Sequence, residues 1–391
     1  MKEKEASKGF NRFNRSTEGL LLRQRHLAMT ILGVFVVASA MFTGCGKTNS
    51  GNAMLPHASY VITLSQPAGN LPGSLYALSP TAGTVQKLNL NVGLIPNSML
   101  LDGDSLYVVN AGDATISVIS ITESTSNIYM KNNGYIPLPA GSAPEYLTET
   151  TVNGVKTGYV TLNQINQIEV INMDKNTVLN DIPLSSYSTW ASKFQTHPWG
   201  IAGVSNGIMV ANNGMSYTDF TYASPGMISI IDPSTQAVKN NITTTGINLQ
   251  AVEPLTQSGF VVISNGNYST ISGYAELYHD NFTERASIPL SGGGAGIALS
   301  STGMGYVASS SIVGYDEIDT NAGTFVSTTD LTKQVKGLNG YNLTSIKFAP
   351  DGTLWASDWQ DNMVFEIDPQ TNTVIKTFSL PEHAQDMVFV Y

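Results

Sequence analysis

Tyr107-Val108-Val109-Asn110 is a short apolar stretch that ends in a polar residue, and related stretches recur along the chain. Seven such stretches begin 45 to 52 residues apart, at Tyr60, Tyr107, Tyr159, Met209, Val261, Tyr306 and Leu354. A period of this length is typical of repeat proteins, in which a single repeat cannot bury its own apolar surface. The chain is therefore expected to fold by packing seven similar units side by side.

Each repeat contains further short apolar or alternating segments, for example residues 115–121 and 227–232. Asp232-Pro233-Ser234-Thr235 and Asp368-Pro369-Gln370-Thr371 carry turn residues, because proline fixes φ and aspartate can accept from its own backbone. No apolar period of 3.6 residues is evident after Cys45. Four strands in each of seven repeats predict an all-β fold, a seven-bladed β-propeller of four-stranded blades. Two separate β-sandwiches are the alternative, but no linker-like segment lies at mid-chain.

The two ends of the repeat array complement one another. The first repeat starts directly at Ser59-Tyr60 and lacks an innermost strand, whereas residues 386–391 form a strand that belongs to no repeat. Pairing the last strand with residues 60–65 would complete blade 1 and remove an open seam between the chain ends. We therefore predict that the C-terminal strand closes the ring.

The segments Tyr107-Val108-Val109-Asn110 and Tyr159-Val160-Thr161 resemble the Tyr-Val-Thr-Asn repeat of YVTN-type bacterial and archaeal propellers. The Asp-Pro turns fit the same repeat, and the resemblance spans residues 59–391. Thr63, Ser309 and Ser357 replace the asparagine, which puts a blade-bridging hydrogen bond in doubt in three blades. The resemblance implies a propeller of the cell surface or periplasm, and it implies no particular activity.

The N-terminal region has the parts of a bacterial lipoprotein signal peptide. Seven Lys or Arg residues precede an apolar run from Leu27 to Ala40, and Phe42-Thr43-Gly44-Cys45 resembles a lipobox, with Phe42 where leucine is usual. Cys45 is the only cysteine in the chain. We therefore predict a signal peptide at 1–44, lipid attachment at Cys45, a short tether at 45–58 and one propeller domain at 59–391. The alternative is an uncleaved membrane anchor, although its length is near the minimum for a spanning helix.

Composition excludes several classes of function. The leader carries seven basic and three acidic residues, so the remaining chain has a net charge of −14, against −10 for the whole. Such a surface disfavours nucleic acid, because binding depends on neutralising phosphates. No Cys-x-x-Cys-His, P-loop or Gly-x-Ser-x-Gly sequence is present, and the histidines lack metal-pair spacing. We expect no metal, no cofactor and a monomer; a quinone-dependent dehydrogenase is disfavoured by the scarcity of basic residues.

Topology assigns several chemically distinctive residues to one face of the predicted ring. In a four-stranded blade, the loops that enter strand 1 and leave strand 2 open on the same face, which we call the mouth. The candidate binding residues of the mouth are His197, Trp199, Asp358, Trp359, His383 and Asp386. Four asparagines also fall there, Asn110, Asn163, Asn212 and Asn265. The insert Gly214 to Pro225, with Tyr217, Phe220 and Tyr222, follows strand 2 of blade 4 and opens on the same face. The alternative is that these aromatics pack between blades or over the rim and that the aspartates only close turns.

These patterns favour a non-enzymatic, lipid-anchored propeller on the periplasmic or outer surface of the cell envelope. Its mouth would bind an envelope protein, a glycan or a small ligand, and the lipid on Cys45 would anchor the protein in the membrane. The alternative is a propeller-type hydrolase or lyase that uses His197, His383, Asp358 or Asp386 at the mouth of the central channel. An enzyme should bring two ionisable groups within hydrogen-bond reach beside a concave pocket.

Overall fold

A computed structural model describes residues 52–56 and 59–391. The predicted signal peptide, Cys45 and most of the predicted tether lie outside the described residues. The described residues form strands and two short 3₁₀ turns, Asn163–Ile165 and Leu331–Lys333. None of the helical segments in this part of the chain is long and apolar enough to cross a bilayer.

The strands follow one another at the spacing that the repeats predict. In chain order they are β1 (Asn52–Pro56), β2 (Tyr60–Gln66), β3 (Ser74–Ser79), β4 (Thr84–Lys87), β5 (Pro96–Asp102), β6 (Ser105–Asn110), β7 (Thr115–Glu123), β8 (Asn127–Pro137), β9 (Pro144–Val152), β10 (Val155–Leu162), β11 (Gln167–Asn172), β12 (Thr177–Pro183), β13 (Pro198–Val204), β14 (Gly207–Asn212), β15 (Gly226–Asp232), β16 (Ala237–Thr244), β17 (Leu249–Pro254), β18 (Phe260–Ser264), β19 (Tyr274–Tyr278), β20 (Glu284–Pro289), β21 (Gly294–Leu299), β22 (Met304–Ser309), β23 (Gly314–Asp319), β24 (Thr324–Asp330), β25 (Ser345–Phe348), β26 (Leu354–Asp358), β27 (Met363–Asp368), β28 (Thr373–Ser379) and β29 (His383–Val390). All seven predicted repeat stretches lie in strands.

The strands form seven antiparallel sheets, which are the blades. From the inside outwards, blade 1 is β29-β2-β3-β4, blade 2 is β5-β6-β7-β8, blade 3 is β9-β10-β11-β12, blade 4 is β13-β14-β15-β16, blade 5 is β17-β18-β19-β20, blade 6 is β21-β22-β23-β24 and blade 7 is β25-β26-β27-β28. Each innermost strand contacts the innermost strands of the two neighbouring blades, and β29 contacts both β25 and β5. The predicted all-β, seven-bladed propeller is confirmed.

The C-terminal strand pairs with β2, as predicted. Tyr60 pairs with Val390, Val61 with Phe389 and Thr63 with Met387. Thr63 Oγ1 also donates to the carbonyl of Asp386 at 3.1 Å. The C-terminal strand therefore supplies the innermost strand of the first blade.

An additional strand, β1, extends blade 2 at its outer edge. These five residues fall within the segment predicted as a tether, and they pair antiparallel with β8 from Asn52 opposite Lys131 to Pro56 opposite Asn127. Their sequence, Asn-Ala-Met-Leu-Pro, is too short to give a recognisable strand period. The pairing covers the edge of β8, which would otherwise present unpaired backbone groups.

The second strand of each blade is buried on both faces because neighbouring blades cover it from either side. In β2, Val61 belongs to the core between blades 7 and 1, whereas Ile62 belongs to the core between blades 1 and 2. In β6, Val108 belongs to the core between blades 1 and 2, and Tyr107 belongs to the core between blades 2 and 3. Side chains alternate across a strand, so a continuous apolar run fills two cores at once. This requirement explains why these stretches were the strongest repeat signal in the sequence.

Candidate functional site

The mouth is lined by inner strands that carry one additional residue at their mouth ends. Relative to strand 2, six of the seven inner strands are bulged there, within 96–98, 144–147, 198–201, 249–251, 294–296 and 384–386. A bulge changes the direction of nearby side chains and ends regular pairing. Residues beside the bulges can therefore turn polar side chains towards the central channel.

Trp359 and His383 form a stacked aromatic pair at the junction of blades 7 and 1. Their ring centroids are 3.8 Å apart with 20° between the planes. Nδ1 of His383 lies 2.8 Å from the carbonyl oxygen of Trp359, so this nitrogen carries the proton and donates it. Both side chains are half-buried. The two residues, which are 24 positions apart in sequence, thus make one rigid and partly exposed aromatic surface at the mouth.

Asp358, directly before Trp359, is fully buried and closes a turn. Its Oδ1 accepts from the backbone N–H groups of Gln360 at 2.9 Å and Asp361 at 3.1 Å. Burial, followed by the adjacent Asp361 carboxyl, holds the pKa of Asp358 above its usual range. No N–H or O–H group of the protein donates to its Oδ2. A proton shared between the carboxyl groups of Asp358 and Asp361 would give this oxygen a hydrogen bond. Asp358 therefore agrees with the alternative interpretation of the sequence, in which the aspartates close turns.

Asp386 connects three blades. Its Oδ1 lies 2.7 Å from Nζ of Lys347 and accepts from the hydroxyl of Ser345 at 2.8 Å, both on the inner strand of blade 7. Its Oδ2 accepts from the backbone N–H of Met99 in blade 2 at 2.8 Å. Lys347 also donates to the carbonyl of Met387 at 2.8 Å. Asp386 is therefore an ion-paired and hydrogen-bonded link between blades 7, 1 and 2.

His197 and Trp199 lie at the junction of blades 3 and 4, apart from the Trp359–His383 pair. His197 is buried, its Nδ1 lies 3.0 Å from the carbonyl of Asn163, and burial lowers its pKa. Its ring packs edge-on against Tyr217 with a centroid distance of 4.4 Å. Trp199 is half-buried, and its carbonyl accepts from Oγ1 of Thr161 at 2.8 Å. The six predicted mouth residues therefore separate into two groups, four at blades 7 and 1 and two at blades 3 and 4.

The insert 214–225 folds over the rim. The hydroxyl of Tyr217 donates to Oδ1 of Asn163 at 2.8 Å and accepts from Nε2 of Gln164 at 2.6 Å, which attaches blade 4 to blade 3. The ring of Tyr222 lies 6.3 Å from that of Tyr268 in blade 5. The insert's aromatics are half-buried and lie across blades 3, 4 and 5.

The mouth asparagines serve two structural roles. Asn163 and Asn265, just beyond strand 2, bridge to the next blade: Nδ2 of Asn163 donates to the carbonyl of Pro198 at 3.3 Å, and Ser310 donates to Oδ1 of Asn265. Asn110 and Asn212, at the end of strand 2, each donate to a serine of strand 3 in their own blade, and Oδ1 of Asn110 also accepts from the N–H of Gly93 in the loop between blades 1 and 2. Direct bonds to the next blade are made from the position after the strand.

A second set of residues near the channel was not identified from the sequence. Nδ2 of Asn97 donates to Oε2 of Glu145 at 2.5 Å, and Glu145, 7% exposed, has a pKa raised well above its usual value by burial. Burial also raises the pKa of Tyr146, with smaller contributions from Asp386, Glu145 and Glu253 and an opposing hydrogen bond from Trp199. A sequence pattern could have indicated these channel residues. Three inner strands begin with a proline followed directly by a polar or aromatic residue, in Pro96-Asn97, Pro144-Glu145 and Pro198-Trp199.

Glu253 and Lys347 bring further charge to the channel. Glu253, on the inner strand of blade 5, is exposed, and the protein atoms around it raise its pKa, with Lys347 opposing the shift. Three carboxyl groups, those of Glu145, Asp386 and Glu253, act on the hydroxyl of Tyr146, and Lys347 lies near Glu253 and Asp386. The channel is thus polar and acidic, and Lys347 is already paired with Asp386.

Two shallow, open pockets lie on the face opposite the mouth. One, of about 280 Å³, is lined by residues of the turns at 204–208 and 232–233, and the other, of about 290 Å³, by residues of the turns at 351–353 and 368–370. Within residues 52–56 and 59–391, no group of three or more His, Cys, Asp or Glu side chains is arranged to hold a metal ion.

No family model matches the chain, and no curated protein matches it. Several solved structures are similar to the chain. A protein from Lactobacillus plantarum has a TM-score of 0.64 at 13% identity, over 86% of this chain and all of its own. A putative 6-phosphogluconolactonase from Bacteroides fragilis has a TM-score of 0.61 at 14% identity, over 88% of this chain and all of its own. Virginiamycin B lyase from Staphylococcus aureus has a TM-score of 0.55 at 14% identity, over 73% of this chain and 84% of its own. At these identities the chain shares a β-propeller fold with these proteins, and the YVTN resemblance stays a prediction.

Proposed function

We propose that this protein is a lipid-anchored binding module of the cell envelope and that the mouth of its propeller binds a protein, glycan or small ligand. The observation that carries the proposal is the Trp359–His383 pair, which is stacked at 3.8 Å, hydrogen-bonded and only partly covered at the rim. Aromatic side chains fixed in this way are common anchors of binding surfaces, because little conformational entropy is lost when a ligand covers them.

Most of the candidate acid–base groups are already engaged by the protein, which favours binding over catalysis. His197 is buried against a backbone carbonyl, and Nδ1 of His383 is bound to another. Asp386 is paired with Lys347 and also accepts from Ser345 and Met99. A general base needs a free lone pair within reach of a substrate proton. With Nδ1 protonated, Nε2 of His383 keeps such a lone pair, so the hydrolase or lyase alternative depends on His383, whereas Asp386 could act only after its pair with Lys347 breaks. The lyase and lactonase names belong to the similar structures alone.

Membrane anchoring through Cys45 is the first part of the proposal to test. Cells that express the full chain would be fed a fatty-acid analogue that can be detected after incorporation. We expect the wild-type chain to be labelled, and Cys45→Ser to remain unlabelled as a longer precursor. Equal labelling of the two chains would contradict lipid attachment at Cys45.

Binding at the mouth is tested with two tryptophans that differ in burial. Trp359 is half-buried at the mouth, whereas Trp355 is buried in the core between blades 7 and 1. Trp359→Ala should lower the capture of co-purifying material from detergent-solubilised cells while leaving the melting temperature nearly unchanged. Trp355→Ala should destabilise the fold by about 3–5 kcal/mol. If Trp359→Ala melts early and the folded remainder still captures normally, Trp359 is a packing residue and the proposed site is wrong.

A further inference from the structure

One part of blade 2 projects beyond the rest of the ring. The last pair between β6 and β7 is Ser105 with Ser120, but β7 and β8 continue pairing from Ile121 opposite Met130 to Glu123 opposite Ile128. We call residues 121–123, 127–130 and 53–56 the overhang. The backbone N–H of Ile121 still donates to the carbonyl of Asp104 in the β5–β6 turn, so at about 3.3 Å per residue the two residues beyond it extend about 7 Å past that turn.

The overhang projects from the face opposite the mouth. Strand β5 begins at the mouth, so the turn at 103–104 that joins β5 to β6 lies at the other end of the blade. The overhang continues from the level of that turn in the same direction. Strand β1 runs down this edge towards the overhang's tip, with Asn52 at the level of the turn and Pro56 beyond it.

The two sides of the overhang differ in chemistry. Leu55, Ile128 and Met130 are buried in the core between blades 1 and 2. On the other side, Met54 and Tyr129 are direct cross-strand partners and are 57% and 45% exposed. An exposed methionine beside a tyrosine is a neutral pair with an apolar body and a hydroxyl, and tyrosine is enriched where proteins meet lipid headgroups.

The length of chain before β1 restricts what this surface can reach. Seven peptide steps separate Cys45 from Asn52, and a fully extended chain of that length spans at most about 25 Å. A lipid on Cys45 would therefore hold the rim of blade 2 near the bilayer surface. We infer that the overhang contacts the lipid headgroups through Met54 and Tyr129 and that the mouth faces away from the membrane. This inference depends on the lipid anchoring proposed above.

Charge on the same face favours contact through the overhang alone. The turns opposite the mouth carry Asp104, Asp232, Asp319, Asp351 and Asp368. Carboxylates facing an anionic leaflet are repelled within about a Debye length, roughly 8–10 Å. The overhang carries one carboxylate of its own, Glu123, and reaches about 7 Å past these turns, so contact through the overhang keeps the five aspartates almost a Debye length from the headgroups.

The test uses the full chain with one cysteine added at a time. An acylated Cys45 cannot react with a maleimide, so a fluorescent label goes only to the new thiol at Tyr129→Cys, Val326→Cys or Thr218→Cys. Val326 is 49% exposed on the outer strand of blade 6, and Thr218 is exposed on the insert at the mouth. Each labelled protein is reconstituted into phosphatidylcholine vesicles with or without nitroxide-headgroup lipid. We expect the label at 129 to lose roughly half of its fluorescence and the other two to change little, because headgroup quenchers act only near the interfacial layer.

The outcomes separate the two claims. Vesicle flotation reports the anchor: a chain that does not float with vesicles, or whose unsubstituted form reacts at Cys45, contradicts lipid anchoring itself. A chain that floats but shows no quenching at residue 129, or equal or stronger quenching at 218, contradicts the orientation alone. Tyr129→Ser with Met54→Ser provides a second check, since it should reduce quenching of a label placed at Asn127→Cys without changing flotation.

Discussion

Ring closure by the C-terminal strand predicts a large loss of stability when residues 386–391 are removed by a stop after Gln385. Met387 is fully buried between blades 7 and 1, and Val388 and Val390 are buried between blades 1 and 2. Burial of one such side chain contributes about 1.5–3 kcal/mol, so the three together contribute about 5–9 kcal/mol. The deletion also removes the carboxylate that pairs with Lys347. This loss is comparable with the whole stability of a typical domain, about 5–15 kcal/mol.

The assay is equilibrium denaturation in urea, followed by circular dichroism and tyrosine or tryptophan fluorescence. The truncated chain should unfold at a much lower urea concentration or fail to fold. Deletion of Tyr391 alone is the matched control, because that side chain is exposed and lies outside β29. A chain ending at Gln385 that unfolds with the wild-type midpoint would refute closure through β29.

Two further predictions concern the aspartates of blades 7 and 1. Asp358 has a raised pKa in the folded protein, so the folded state holds this proton more tightly than the unfolded chain and stability falls as the pH rises above about 4. Asp358→Asn keeps the acceptor for Gln360 and Asp361 and should be more stable than wild type by about 1–3 kcal/mol at pH 8, with little difference at pH 4; an unchanged pH profile in denaturation would contradict the shared proton. Asp386→Ala should destabilise the protein by about 1–3 kcal/mol, because the N–H of Met99 and the hydroxyl of Ser345 lose their buried acceptor and Lys347 loses its partner. Asp386→Asn should cost less, since its amide oxygen can still accept, and equal losses in the two variants would argue against the ion pair.

The fold was largely predictable because the second strand of each blade must fill two cores. That requirement leaves a continuous apolar run at each repeat, and the runs fixed the number of blades and the place of the closing strand. The Asp-Pro turns were also predictable from local chemistry: the backbone N–H of Ser234 and that of Gln370 donate to the preceding Asp232 and Asp368 carboxylates. Both features depend on residues close in sequence or on a strict period.

The mouth was predictable only in part. Topology assigned Trp359 and His383 to one face, but their stacking depends on how blades 7 and 1 meet, which no local pattern encodes. The polar residues near the channel, such as Glu145 and Lys347, were missed because they lie in short inner strands whose bulges alter the alternation of side chains. Strand β1 was missed because five residues without a period give no strand signal until β8 provides a partner.

The central claim is that the mouth is the binding face of an envelope-anchored propeller. A photoreactive amino acid placed at Trp359 in living cells tests it most directly, with the same residue at Phe325 as control. Phe325 is 40% exposed on the outer strand of blade 6. The account predicts a discrete crosslinked product from position 359 and none from position 325 in cells that express the full chain. Equal products from both positions, or a product from 325 alone, would contradict it.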